Sequence, residues 1–79
     1  MTAGTLTLRP LAHGMSGTLA LHRLRIPVVA AERGETLHIS GLHAAGELRG
    51  TRGEVRHCRE AYALECAWAD GVLTCVVSA

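Results

Sequence analysis

The sequence contains no phenylalanine and no lysine, and it has only one tryptophan and one tyrosine among its 79 residues. Aromatic side chains supply much of the buried area in small cores, so their scarcity predicts a core of light aliphatic residues. Apolar residues still make up 48% of the chain, and a single β-rich domain spanning residues 1–79 is expected. Because so short a chain buries only about 60–65% of its unfolded surface, a homodimer is a reasonable expectation.

Long apolar runs are also absent. No segment approaches the roughly 18 consecutive apolar residues of a membrane helix. The N-terminal residues lack the charged start and apolar stretch of a secretory signal. These absences predict a cytoplasmic protein that does not bind membranes.

In that reducing compartment the three cysteines are expected to be thiols.

Neither sign of charge dominates the composition. Eight basic residues, all of them arginine, stand against seven acidic residues, which gives a formal net charge of +1. A dedicated nucleic-acid binder usually carries a strongly basic surface. Direct binding to nucleic acid is therefore not expected.

Alternating polar and apolar residues predict strands at the start of the chain. Residues 5–9 are typical of an edge strand, which Pro10 ends because it cannot donate a hydrogen bond to a neighbour. Within residues 18–26 the alternation changes phase. A β-bulge near His22 would restore one buried face.

Residues 28–40 are typical of a β-hairpin with its turn at residues 33–34. A two-residue turn at that point would place Glu32 directly opposite Glu35, which is unfavourable for like charges. A looser four-residue turn is therefore an equal alternative.

A capping box suggests the one helix of the chain. Thr51 and Glu54 match the Thr-x-x-Glu pattern that opens helices, and Val55, Cys58 and Tyr62 follow at helical spacing. This pattern predicts a short helix over residues 52–60. The expected fold class is α+β, a mostly antiparallel β-sheet with one short helix, and an all-β fold is the alternative.

The C-terminal segment carries the strongest hairpin signal. Large apolar residues alternate from residue 62 to residue 68, and Asp70-Gly71 suits a type I′ turn, which needs positive φ at both central residues. This register pairs Cys66 with Cys75 at a non-hydrogen-bonded position, where a disulfide is geometrically possible. Two buried thiols are expected instead. A helix over residues 52–70 is the competing interpretation.

The strand assignments define an expected core that includes Trp68. Replacing Trp68 with alanine would then lower the free energy of unfolding by about 3–5 kcal/mol. Its members are Leu6, Leu8, Leu19, Leu21, Val28, Leu37, Ile39, Tyr62, Leu64, Cys66, Trp68, Leu73, Cys75 and Val77.

Metal binding and catalysis have little support in the sequence. Five histidines and three cysteines are present, but no Cys-x-x-Cys or His-x-x-x-His pair supplies the ligand spacing of a zinc site. Cys58 follows His57 directly, and the side chains of adjacent residues are expected to diverge, which leaves no activated nucleophile. We expect no enzymatic activity, no metal and no cofactor.

Arginines provide the candidate binding residues. On the expected helix, Arg49, Arg52, Arg56 and Arg59 would line one face, and guanidinium groups bind phosphates and carboxylates through paired hydrogen bonds. A solvated face partly neutralised by neighbouring glutamates is the alternative. The complete set of candidates for partner binding is Arg49, Arg52, Arg56, Arg59, Arg23 and Arg25, the last two on an exposed strand face.

The chain as a whole, and its ending "AYALECAWADGVLTCVVSA" in particular, resembles small anti-CRISPR proteins. These are encoded by phages and mobile elements of GC-rich bacteria, a source that the absence of lysine also suggests. The resemblance is to inhibitors of type I CRISPR systems, with type I-C as a candidate subtype. It is carried by no motif and assigns no residue a role.

The resemblance implies a protein that acts stoichiometrically and without a cofactor in the cytoplasm of a bacterial host. It would bind a subunit of the crRNA-guided surveillance complex and block recruitment of target DNA. Two alternatives remain. One is a small DNA- or RNA-binding regulator that uses the arginine stripe, and the other is a toxin-antitoxin type or structural partner protein.

Overall fold

A computed structural model describes all 79 residues as eight antiparallel strands that close into a barrel. Each strand pairs with the strands before and after it, and the first strand closes the ring against the last. The strands are β1 (Thr2–Pro10), β2 (Met15–Leu21), β3 (Leu24–Arg33), β4 (Thr36–Gly41), β5 (Ala44–Arg49), β6 (Arg52–His57), β7 (Glu60–Ala69) and β8 (Val72–Ser78). No helix of the length and apolarity needed to cross a membrane is present.

The interior of the barrel is filled by aliphatic and sulfur-containing side chains and by one aromatic side chain, Tyr62. Alternate residues of each strand point inward, and a barrel of eight strands is narrow enough for side chains alone to fill it. No polar or charged side chain is buried. The core consists of Leu6, Leu8, Met15, Leu19, Leu21, Ile26, Val28, Ala30, Ile39, Ala44, Leu48, Val55, Tyr62, Leu64, Cys66, Leu73, Cys75 and Val77.

Glycine is required where neighbouring strands approach closely inside so small a ring. A Cβ atom built on Gly17 would overlap the carbonyl oxygen of Thr7 on the adjacent strand, and one built on Gly53 would overlap the carbonyl oxygen of Glu47. Both glycines lie within strands, where this residue type allows sharp bending of the sheet. The glycines therefore contribute to the curvature that closes the barrel.

The helix predicted over residues 52–60 is wrong, and so is the α+β fold class. Residues 52–57 form β6, which pairs with β5 on one side and β7 on the other. Val55 points inward and is fully buried, while Arg52 and Arg56 point outward. Pairing on both sides therefore overrides the local capping signal, and the all-β alternative describes the fold.

Three details of the first half also differ from expectation. β1 is not an edge strand, because it pairs with both β2 and β8. The phase change near His22 is a turn at residues 22–23 between β2 and β3, and not a bulge. The next turn lies at residues 34–35, so that Glu32 faces Leu37 and its repulsion with Glu35 across the strands is avoided.

The C-terminal hairpin is confirmed. Asp70 and Gly71 have φ angles of 52° and 75°, as a type I′ turn requires, and Cys66 lies opposite Cys75 with Trp68 opposite Leu73. The core placement of Trp68 is wrong, because 57% of this residue is exposed. Leu37 is only partly buried against the core. Both residues have the inward orientation but lie where the interior opens to solvent.

Cys66 and Cys75 form a disulfide, with their Cα atoms 3.9 Å apart. The interpretation of this pair as two buried thiols is therefore wrong. Cys58 is the remaining cysteine, and it is free and exposed. The bond links β7 to β8 inside the core, in addition to the backbone hydrogen bonds between the two strands.

We expect reduction of the Cys66–Cys75 bond to lower the free energy of unfolding by about 2–3 kcal/mol, because the residues joined are separated by only 9 positions and short loops restrict the unfolded chain modestly. Urea unfolding of the Cys58→Ala variant, with and without reductant, measures this difference in one sequence free of intermolecular disulfides. The reduced protein should retain its β-sheet circular dichroism. Equal midpoints with and without reductant would contradict the bond.

Candidate binding site at one mouth of the barrel

The two ends of the barrel carry different groups. Because consecutive strands run in opposite directions, successive turns lie at alternate ends. We call the end that contains Trp68 the Trp68 mouth, and the other the opposite end. The Trp68 mouth is formed by the turns at residues 11–14, 34–35, 50–51 and 70–71. The opposite end holds the turns at residues 22–23, 42–43 and 58–59 and both chain termini.

The Trp68 mouth contains a cavity of about 430 Å³. Its floor is apolar, since Met15, Leu48 and Leu73 belong to the buried core. The full lining is Met15, Glu32, Gly34, Glu35, Thr36, Leu37, Leu48, Gly50, Trp68 and Leu73. The cavity is therefore an apolar depression with an aromatic side chain and two carboxylates around it.

Trp68 reaches this position because β7 has ten residues and extends toward the tip of the last hairpin. Tyr62, Leu64 and Cys66 precede it on the inward side of the same strand and are buried. Trp68 follows the same alternation beyond the filled interior. An exposed tryptophan on a rigid strand is a typical anchor for binding, because it buries a large area with few rotatable bonds.

Two glutamates give the lining of the cavity a negative charge. Glu32 is near the end of β3, opposite Leu37, and Glu35 lies in the following turn. The ion pairs of the structure are His38–Glu47, Arg52–Glu65 and Arg56–Glu54, so neither mouth glutamate has a cationic partner. No basic side chain lines the cavity.

Only two of the six candidate arginines lie at the same end of the barrel as Trp68. Arg49 and Arg52 face each other across the turn at residues 50–51. Arg49 Nε donates to Thr36 Oγ1 at 3.5 Å, and Arg52 Nη2 lies 3.4 Å from Glu65 Oε1. Both guanidinium groups are on the outer wall beside the mouth, where they could contact a partner that covers Trp68.

The other four candidates are elsewhere, so the proposed helical stripe of arginines does not exist. Arg56 is on the outer wall, with Nη1 3.9 Å from Glu54 Oε1. Arg23 and Arg59 lie in turns at the opposite end, and Arg25 follows at the start of β3. Arg56 therefore shares the outer wall of β6 with Arg52, whereas Arg23, Arg25 and Arg59 lie at the other end of the barrel from Arg49 and Arg52.

Charges of both signs alternate along the outer wall of β5 and β6. Glu47 lies directly opposite Glu54, between the Arg49–Arg52 pair and Arg56. A nucleic-acid backbone presents negative charge at regular short intervals, and carboxylates between the arginines oppose its binding. The arrangement suits a protein surface with charges of both signs better than it suits a phosphate backbone.

A second groove, of about 510 Å³, lies between the loop at residues 11–14 and the outer face of β3 and β4. Exposed Leu11 and Val29 line it together with His13, Arg33 and His38. Neither depression has a signal in the sequence. Their residues are distant in the chain and come together only when the barrel closes.

At the opposite end, Cys58 Sγ lies 3.7 Å from His57 Nε2. The expectation that these neighbouring side chains diverge is therefore wrong. No group of three or more His, Cys, Asp or Glu side chains is placed to hold a metal ion. The contact places a thiol beside an imidazole but supplies no third group that orients the ring.

Tyr62 interacts with a carboxylate near the same end. Its hydroxyl donates to Glu60 Oε2 at 3.1 Å. Burial raises the pKa of Tyr62 above its ordinary value of 10.0, and the hydrogen bond and negative charge of Glu60 raise it further, with a smaller contribution from Cys58. The folded protein therefore favours the neutral phenol.

Comparison with protein-family models, with curated protein sequences and with solved structures finds no match.

We expect the single tyrosine to ionise above its ordinary pKa of 10.0 in the folded protein. Because the pKa is raised on folding, the resulting stabilisation is present below the unfolded pKa and is lost as pH rises through the folded value. Ultraviolet absorbance of tyrosinate against pH measures the midpoint. Glu60→Gln should lower this midpoint part of the way, whereas Glu54→Gln should not. A tyrosine titration midpoint at the ordinary pKa of 10.0 in the folded wild-type protein would refute the raised pKa.

Proposed function

We propose that this protein is a non-enzymatic inhibitor that binds a type I CRISPR surveillance complex and prevents recruitment of target DNA. The observation that supports a binding role is Trp68, the only tryptophan of the chain, which is 57% exposed beside an apolar cavity. The choice of partner rests on the resemblance of the chain, including "AYALECAWADGVLTCVVSA", to anti-CRISPR proteins. The host cytoplasm is the proposed site of action.

A function in protein binding agrees with the packed, apolar interior of the barrel. Every buried residue is apolar, so groups that could recognise a partner lie on the outer wall and at the two ends. Tryptophan and arginine are the residue types that most often dominate protein interfaces. At the Trp68 mouth, Arg49 and Arg52 flank a turn whose Gly50 lines the same cavity as Trp68.

Obstruction needs only a compact body that stays folded while bound. The barrel measures 29 × 23 × 21 Å, and 53 backbone hydrogen bonds lie within its strands. CRISPR effectors hold the guide and target strands in a positively charged channel. A rigid domain seated over such a channel would exclude DNA without any chemical step.

Reducing conditions in the cytoplasm should not abolish this role. Glutathione and thioredoxin there keep most cysteines reduced, but β7 and β8 are also paired through their backbones along their length. The reduced barrel is therefore expected to bind the same partner. Homodimer formation stays a prediction from chain length.

We expect Trp68→Ala to weaken binding to a purified type I-C surveillance complex by about thirtyfold or more, since loss of an interface anchor costs about 2 kcal/mol or more. Its melting temperature should change little, because the side chain lies largely outside the core. Binding of each variant to the surface-immobilised complex gives the affinity. A target-DNA binding assay measures how far each variant prevents the complex from recruiting DNA.

A matched pair of variants locates the interface. Arg49→Ala with Arg52→Ala should weaken binding to the complex, whereas Arg23→Ala with Arg25→Ala at the opposite end should leave it unchanged. If wild type binds no type I complex of any subtype tested, the inhibitor proposal fails. Tight, salt-sensitive binding to free DNA or RNA would instead favour the regulator alternative.

A further inference from the structure

We infer that the Trp68 mouth is a pocket for one cationic side chain, arginine or lysine, presented by a protein partner. This inference rests on the proposed function in one respect, which is that the partner is a protein. It assigns a ligand chemistry to a cavity whose lining combines Trp68, Glu32, Glu35 and an apolar floor.

The shape of the cavity suits a long side chain with a charged end. A volume of about 430 Å³ accommodates one extended arginine or lysine. The aliphatic part of such a side chain packs on apolar surface while its charge stays near solvent. Met15, Leu48 and Leu73 provide that apolar floor.

The upper part of the cavity supplies two attractions for a positive charge. Cations bind over the face of an indole ring through its quadrupole, and Trp68 is the aromatic side chain of this lining. Glu32 and Glu35 add negative charge without an ion-pair partner. A guanidinium can make both interactions at once, because it is planar and donates several hydrogen bonds.

The basic residues closest in the chain do not fill this role. Arg33 lines the outer groove on the other side of the β3 wall. Arg49 is turned toward Thr36 Oγ1 on the outer wall. The charge of the two glutamates therefore remains available to an incoming group.

Other ligand classes fit the lining less well. An anion would meet the charges of Glu32 and Glu35, and a nucleic-acid base stacked on Trp68 would bring its phosphates near them. A neutral apolar group would remove water from the carboxylates without replacing their hydrogen bonds, which is costly. A cationic side chain satisfies the apolar floor, the indole and the carboxylates together.

This chemistry complements a surface that binds nucleic acid. Proteins hold phosphate backbones with arginine and lysine, and these residues are the ones that an inhibitor of DNA recruitment must cover. One such side chain in the Trp68 mouth would be unavailable to DNA. Arg49 and Arg52 would then contact acidic groups around it.

The pocket can be tested without any partner, because Trp68 is the only tryptophan and reports on its own surroundings. The probes are the N-acetyl, N-methylamide derivatives of arginine and lysine, and the control is the same derivative of citrulline, which is close to arginine in shape but uncharged. Tryptophan fluorescence and the indole NH resonance are followed during titration. We expect saturable binding of the cationic probes in roughly the millimolar range, and at least about tenfold weaker binding of citrulline.

A double substitution tests the two carboxylates, with a matched control on the outer wall. Glu32→Gln with Glu35→Gln should weaken binding of the arginine probe by about tenfold, because the charge-assisted contacts are lost. Glu47→Gln with Glu54→Gln removes the same charge from the outer wall and should leave binding unchanged. Near-ultraviolet circular dichroism checks that each variant keeps the fold.

The outcomes separate this inference from the proposed function. Equal binding of citrulline and arginine, equal effects of the two double substitutions, or no binding of any cationic probe would overturn the cationic pocket. The inhibitor role would stand in each case if the purified complex still bound the protein through Trp68. Binding of the arginine probe without binding of any type I complex would support the pocket and refute the inhibitor role.

Discussion

Pairing of β1 with β8 is the constraint on which the rest of the structure depends. Leu6 lies opposite Cys75 and Leu8 opposite Leu73 across this seam, although these residues are far apart in the sequence. Closing the ring removes both free sheet edges and satisfies their backbone groups. It also encloses the aliphatic residues on all sides, which is how a chain without phenylalanine obtains a continuous core.

The same closure determines where recognition can occur. A ring of eight strands filled by its own side chains leaves its depressions at the mouths and on the outer wall. Trp68 has the inward orientation of its strand, but it lies where the packed interior ends, and its indole therefore remains accessible. Glu32 is placed on β3 by the same alternation. The aromatic and acidic character of the mouth thus follows from strands that extend beyond the core.

The features that could be predicted from the sequence are those with local signals. Asp70-Gly71 and the alternation before it established the last hairpin and the pairing of Cys66 with Cys75, because a two-residue turn fixes the register of its strands. The Thr51–Glu54 capping signal was misleading, since Gly53 and Val55 are paired with strands on both sides. Exposure of Trp68, dispersal of the arginines and formation of the mouth cavity depend on ring closure, for which the sequence carries no local signal.

Amide hydrogen exchange measured by nuclear magnetic resonance tests the closed ring most directly. In a closed barrel, the amides of β1 that face β8 exchange as slowly as those in the middle of the sheet, and nuclear Overhauser contacts connect the two strands near Leu6 and Cys75. We expect this protection around all eight strands. Rapid exchange along β1 and β8, with no contacts between them, would show an open sheet and contradict it.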